Sequence, residues 1–275
     1  MHTHQKTNIS VTDSFIQKFA ERYLAQRSHT NFDYAALNQS SLYGNLDFDT
    51  SALQKILERN AVAVDVNRER GVQPAVLNDI YRSDLGELLM TYYFEEKLPE
   101  GERFIIPLKN ITFRERADMP GRGLDVIGYK VTGDSVEVLL GEAKVSAQKH
   151  SPPDVVDSTA DSIYKTHKKH RDNNELVVQR LSDYARRLGA QDATILGYAI
   201  VSLNNKSEEC VITYGCTLIR DFECVTEATD FGKLKSRSEE FEPGKVHFSL
   251  LSFDNKTIDE TVNLFYEKVR DLVTI

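Results

Sequence analysis

The sequence has few cysteines, only Cys210, Cys216 and Cys224, and no two at CxxC spacing. An odd, unpatterned set indicates neither a disulfide framework nor a structural zinc site. The three read as reduced thiols packed in strands, in a cytoplasm. The sequence also lacks a basic surplus. Its 34 Lys and Arg stand against 42 Asp and Glu, a net charge of −8, which excludes a protein that coats nucleic acid by bulk charge and leaves room for a local basic groove. No apolar run approaches the roughly 20 residues of a membrane span. The opening Met-His-Thr-His-Gln-Lys has no apolar stretch of the signal-peptide kind, so the expectation is a chain that neither spans nor crosses a membrane. His2 and His4 read as a frayed polar terminus rather than a metal site. Internal repeats and low-complexity tracts are missing as well.

What is there is a globular composition. The 275 residues are 40% apolar and 28% charged, enough for one large domain or two small ones. Residues 1–75 read as a helical N-terminal region: an amphipathic helix over Thr12–Gln26 carries Phe15, Phe19, Tyr23 and Leu24 on one stripe. An irregular connection over 30–50 then leads into a short helix with Thr50 as N-cap and Leu53, Ile56 and Leu57 inward. A stronger helix over Ala75–Lys97 opens the main domain, 76–275, and stops at Leu98-Pro99. Three strands follow, Phe104–Phe113, Leu124–Val131 and Val136–Ser146, the last two joined by the hairpin turn Thr132-Gly-Asp-Ser135. A polar helical stretch over Tyr164–Arg171 and a helix over Asn174–Leu188 come next. Strands are expected at Ala193–Leu203, Cys210–Ile219 and Lys245–Phe253. A last helix starts at Thr257 with Glu260 completing a capping box. This order predicts an α/β fold around a mixed sheet.

The chemistry concentrates in Asp125 through Lys144. Alternate residues of a strand share a face, so Glu142 and Lys144 project together and Ala143 points away. Asp125 starts the partner strand of the same hairpin and joins them if register and twist bring that end alongside Glu142. Two carboxylates and an ammonium then meet. Two hard oxygen ligands suit Mg²⁺, with Mn²⁺ as a substitute; the ion completes its shell with water and phosphate oxygens and serves phosphodiester hydrolysis. A further carboxylate is available in Glu87, beside the apolar stripe of the preceding helix, where burial without a metal, cation or water would be costly. A second Glu-x-Lys, Glu95-Glu96-Lys97, falls on a helix, where residues two apart do not share a face. The bland alternative for Glu142 and Lys144 is a surface ion pair at a strand end.

Helix with Glu87, strand with Asp125, hairpin, strand with Glu142-Ala-Lys144, then helix resembles the core of the PD-(D/E)XK nucleases, with Leu124 where the motif has proline. The resemblance covers about residues 76–205. It implies Asp125 and Glu142 as metal ligands, Lys144 as the catalytic lysine and Glu87 as the acidic residue of the first core helix. Many members also carry a Gln and a Tyr four apart on the following helix. Here Gln179 and Tyr184 are five apart, which leaves Gln179 as a supporting residue and Tyr184 as core with Leu181 and Leu188.

A narrower resemblance, to the HamA family of the Hachiman anti-phage system, rests on four segments: Ser83-Asp-Leu-Gly-Glu87, Gly123-Leu-Asp-Val-Ile-Gly128, Leu140-Gly-Glu-Ala-Lys-Val145 and Gln179-Arg-Leu-Ser-Asp-Tyr184. It implies a DNase effector held in a hetero-complex by a large helicase partner, HamB, and released when the helicase engages DNA.

Between Ile163 and Arg187 seven basic residues face three acids. Lys165, Lys168, Lys169, Arg171 and Arg180 are candidates to track DNA phosphates, against the plainer reading of a solvated helix face. His167 and His170 read as part of that polar face. Arg114, Arg116 and Arg122 precede the Asp125 strand and suit either a phosphate clamp or a protein contact. A Mg²⁺-dependent nuclease under the control of a partner is the first expectation. A non-catalytic adaptor on the same fold, binding DNA or a helicase, is the second, and a phosphohydrolase of small nucleotides the third.

Overall fold

The computed structural model describes residues 1–30, 32–33, 50–62, 74–113 and 123–274. The connection expected over 30–50 lies almost wholly outside the described residues, as do Arg114, Arg116 and Arg122. Six strands, β1 (Thr3–Ile9), β2 (Ile105–Lys109), β3 (Val126–Thr132), β4 (Ser135–Ser146), β5 (Cys210–Asp221) and β6 (Lys245–Phe253), form one mixed sheet in the order β1-β6-β5-β4-β3-β2. The β2-β3-β4 half is antiparallel, and β4, β5, β6 and β1 run parallel. The helices are α1 (Asp13–Arg27), α2 (Thr50–Ala61), α3 (Pro74–Tyr92), α4 (Asp154–Asp157), α5 (Ile163–Arg171), α6 (Asn174–Ala185), α7 (Ala190–Asn204), α8 (Gly232–Ser236) and α9 (Ile258–Thr274). The α/β class and the mixed sheet are as the sequence predicts.

The sheet is buried on both faces, which is why Val138-Leu139-Leu140 reads as a continuous apolar run rather than an alternating one. Leu139, Ile219 and Leu251 pack under Phe19, Leu85, Leu88 and Phe265 of α1, α3 and α9. Val138, Leu140 and Leu218 pack under Ile163, Val177, Leu181 and Leu196 of α5, α6 and α7. Helix α3 comes close to β4 because residue 141 is glycine: a Cβ there would lie 2.5 Å from the Met90 methyl. The β3–β4 turn is tight because Gly133 supplies φ +60°. Side-chain caps fix two helix starts, the second of them the expected capping box. Thr12 Oγ1 accepts from Phe15 N at 3.2 Å, and Thr257 and Glu260 close their capping box at 3.2 and 2.8 Å. Among the described residues no helix is long and apolar enough to cross a membrane.

Five expectations are corrected. Residues 1–75 are not helical throughout, because Thr3–Ile9 is the edge strand of the sheet, paired parallel to β6. His2 and His4 are accordingly docked and not frayed: His2 Nδ1 accepts from Val246 N at 3.0 Å, and the His4 ring lies edge-on to Phe231. Ala193–Leu203 is helix rather than strand; its apolar run carries no period-2 alternation, and β4 reaches its parallel neighbour β5 only through a long crossover. Ile56 projects to solvent at 56% exposure while Leu53 and Leu57 are half-buried. Cys210 and Cys216 are buried in β5, whereas Cys224 lies in a turn beyond it.

Candidate active site

The hairpin register sets the site. Val126 pairs with Gly141, and Asp125, one step earlier, donates its N–H to Gly141 O at 3.0 Å. Asp125 therefore stands beside Glu142. Its Oδ2 accepts the Ala143 N–H at 2.7 Å, a bond that ties the carboxylate to β4. Glu142 is 5% exposed. Its Oε1 accepts from Lys144 Nζ at 3.0 Å, while Oε2 is buried with no hydrogen-bond partner among the described residues. Burial first, and the Asp125 charge second, push the Glu142 carboxyl up to about 8 against the pull of Lys144. Burial works against the Lys144 ammonium, but Glu142 and Asp161 outweigh it and hold Lys144 firmly protonated. Asp161, from the loop before α5, accepts from the same Nζ at 2.9 Å.

An unpartnered buried carboxylate oxygen next to a second carboxylate is an arrangement a divalent cation completes. Asp125 and Glu142 fit Mg²⁺, which is held by one or two carboxylates and keeps its waters. Among the described residues no group of three or more His, Cys, Asp or Glu side chains could hold a metal ion by itself.

Glu87 is buried at 3% exposure on α3. That helix crosses the face of β4 opposite to Glu142 and Lys144, with Gly86 against Val145 and Ala143. Glu87 thus belongs to the layer behind the strand. Gln179 and Arg180 are exposed on α6. The Arg180 guanidinium comes down over the backbone of Gly123, two residues before Asp125, where Gly123, Leu124, Arg180, Tyr184 and Arg187 line a cavity of about 110 Å³. Tyr184 donates its hydroxyl to Leu108 O and to Ile127 O, at 3.1 Å for the latter, so it ties α6 to the β2–β3 pair in addition to packing. A larger cavity, about 280 Å³, opens at the other end of β4. There Glu137 is occupied by Lys130, Lys245 and Thr213, which leaves a satisfied ion-pair cluster.

The expected phosphate track is only partly free. Lys165 Nζ donates to Thr159 O and Ala160 O, both at 2.7 Å, Lys168 pairs with Asp172, and Arg171 pairs with Asp172 at 2.7 Å and Glu240 at 2.9 Å. Lys169 and Arg180 are exposed and make no ion pair among the described residues, and both act electrostatically on His170. His167 and His170 do not lie on the polar face. They face inward with Ile163 and Tyr164, His167 Nε2 sits 3.0 Å from Gly215 O, and burial drives the His167 ring down to about 3.

Sequence reasoning missed two features. Asp161 sits seventeen residues from Lys144, with no spacing to announce it. Arg220, wholly buried in β5, pairs with the equally buried Asp230. In an apolar strand a lone arginine is the signal that would have found that pair.

No curated protein and no solved structure matches the chain. The model of the HamA family matches residues 12–269, a span that includes α3, the β3–β4 hairpin and the helices that follow it. With almost all of its length so matched, the chain belongs to the HamA family.

Proposed function

We propose that the chain is the effector nuclease of a Hachiman anti-phage defence system: a Mg²⁺-dependent deoxyribonuclease of the PD-(D/E)XK type, held in complex with a helicase partner. Membership of the HamA family supports the defence role. The reaction rests on one observation, the convergence of Asp125, Glu142 and Lys144 around the unpartnered Glu142 oxygen. The helix of Glu87, the Asp125 strand, the hairpin, the Glu142–Lys144 strand and the helix after it follow in the order that the nuclease resemblance calls for. In this reading residues 76–275 carry the nuclease unit, while β1 and α1 extend its sheet and one helical layer.

Asp125 and Glu142 hold the cation. When bound, Mg²⁺, or Mn²⁺ in its place, stabilises charge on the phosphoryl oxygens and acidifies a water. Lys144, charged and fixed by Glu142, orients the attacking water or neutralises a phosphate oxygen. Lys169 and Arg180 hold neighbouring phosphates without reading sequence, Gln179 supports the site from α6, and Glu87, on α3 behind β4, supports it from the opposite layer. A net charge of −8 disfavours free binding to DNA and suits an effector delivered by its partner.

The test is cleavage of plasmid and linear DNA with Mg²⁺, Mn²⁺ or EDTA, with and without the co-purified partner, for wild type and the Glu142→Ala/Lys144→Ala double variant. Metal-dependent cutting lost in the variant is expected. DNA or partner binding with equal inertness of both proteins in every condition would replace the nuclease with a non-catalytic adaptor.

A further inference from the structure

Tyr92 ends α3, in the helical layer on the face of the sheet opposite to Glu142 and Lys144. Its ring gathers cations. Lys18 Nζ lies 4.9 Å, Lys97 Nζ 5.5 Å and the Arg22 guanidinium 5.8 Å from the ring centroid. One carboxylate serves these three groups: Glu96 accepts from Lys18 at 2.7 Å and pairs with Arg22. Lys97 is exposed and makes no ion pair among the described residues. Positive charge is therefore in excess at this spot, in a chain whose net charge is −8.

The cluster borders a cavity of about 400 Å³, lined by Ser10, Phe15, Lys18, Phe19, Tyr92 and Lys97, with no acidic side chain on its wall. That volume lies within the roughly 300–1,000 Å³ of small-molecule sites. The rings form one aromatic wall. Phe15 and Phe19 stand 4.5 Å apart, and Phe19 meets Tyr92 edge-on at 5.3 Å. Phe19 is buried in the core and holds the other two, which are only half-buried. Such a wall takes a planar ring by stacking, and ammonium groups beside it take phosphate oxygens.

We propose that this cavity binds a free nucleotide, with the base against Phe15 and Tyr92 and the phosphates against Lys18 and Lys97. The excess positive charge calls for an anion, which a nucleoside is not. The aromatic wall calls for a planar ring, which pyrophosphate lacks. A nucleoside diphosphate has both. A DNA strand at Glu142 and Lys144 lies on the other face of the sheet, so the ligand is not the strand being cut. The site goes beyond the nuclease reading and does not depend on it.

The test uses the purified full chain in EDTA. Binding of N-methylanthraniloyl-ADP is followed by fluorescence anisotropy, with unlabelled ADP, adenosine, pyrophosphate and a short oligothymidylate as competitors. ADP should compete at least about tenfold better than adenosine or pyrophosphate, and better than the oligothymidylate. Lys18→Gln/Lys97→Gln should weaken ADP by about tenfold, and so should Tyr92→Leu. Tyr92→Phe keeps the ring and should stay within about twofold of wild type, as should Lys55→Gln on the exposed face of α2. Glu142→Ala/Lys144→Ala should bind ADP as wild type does. Loss of ADP binding in that variant moves the nucleotide to the nuclease site and overturns the proposal. Tighter competition by the oligothymidylate makes the cavity a strand contact and overturns it as well. Equal ADP affinity in wild type and Lys18→Gln/Lys97→Gln, or no saturable binding to wild type at about 1 mM, removes the site. None of these arms needs DNA cleavage, so the nucleotide site and the nuclease reading fall separately.

Discussion

Asp125 accepts the backbone N–H of Ala143 at 2.7 Å. The bond fixes the first carboxylate of the site to the residue between Glu142 and Lys144, on the strand that carries the other two groups. It also separates two roles that a substitution can pull apart. Asp125→Asn retains an oxygen that accepts from Ala143 N and loses only the charge. At pH 5, where Glu142 holds its proton, thermal melts of this variant should match wild type, while Mg²⁺-dependent cleavage at pH 8 falls by about two orders of magnitude or more. Asp125→Ala should lose the same activity and, in addition, about 1 kcal/mol of stability for the unmatched amide. Equal activity of wild type and Asp125→Asn would remove Asp125 from the site.

Glu142 gives a pH dependence whose sign follows from its environment. Its carboxyl is pushed up to about 8 in the folded protein, from an ordinary value near 4.5, by burial and then by Asp125. Between those values the native state holds a proton that the unfolded chain has released, so this group makes stability fall as pH rises from about 4.5 to 8. Glu142→Gln removes that contribution. In EDTA at pH 8 the variant should melt above wild type, with the advantage shrinking toward pH 5. Mg²⁺ should raise the wild-type melting temperature and leave that of Glu142→Gln unmoved. A Mg²⁺ shift of equal size in both proteins would place the cation elsewhere.

The hairpin was legible because its parts are local. Alternation puts Glu142 and Lys144 on one face, and the Gly133-Asp134 turn sets the register that brings Asp125 to them. Strand β1 was not legible: Thr3–Ile9 is polar at nearly every position, and only its pairing with a strand more than two hundred residues away makes it a strand. Helix α7 was misread because a run that is apolar on all sides carries no period, and Leu196 and Ala199 line one face only once the fold is formed. The pairing within the basic segment was not legible for another reason. Charge counts do not show that Asp172 and Glu240 hold Lys168 and Arg171, and Glu240 comes from the far end of the chain.

That pairing yields a prediction on DNA binding. Lys169 and Arg180 are exposed and should contact phosphates, whereas Lys168 already has Asp172 as partner. Lys169→Ala and Arg180→Ala should each weaken binding to DNA of any sequence and lower the slope of log K against log salt by about 0.9 per lost contact. Lys168→Ala should change the slope by much less. Fluorescence anisotropy of a labelled duplex across a salt series checks all three, and an unchanged slope for Arg180→Ala would move the DNA path away from α6.

Arg220 anchors the chain that leaves β4. Its guanidinium is fully buried and donates to Ser146 O at 3.3 Å, Gln148 O at 2.6 Å, His150 O at 3.1 Å and Cys224 O at 2.8 Å, with Asp230 3.6 Å from Nε. Asp230 in turn accepts from Ser151 Oγ at 2.6 Å and Thr226 N at 2.8 Å. The group therefore closes the segment after β4 onto the segment after β5. Removing one member leaves a buried charge and its polar neighbours unmatched, so Arg220→Met should cost about 3–5 kcal/mol in urea denaturation. Replacing both members of a buried pair by apolar residues is often neutral. Here it should not be, because the carbonyls of Ser146, Gln148, His150 and Cys224 lose their donor whatever stands at position 230. The Arg220→Met/Asp230→Leu variant should therefore remain at least about 2 kcal/mol less stable than wild type. Recovery of wild-type stability in that variant would reduce Arg220 to a charge partner of Asp230 and take away its role in shaping the exit from β4.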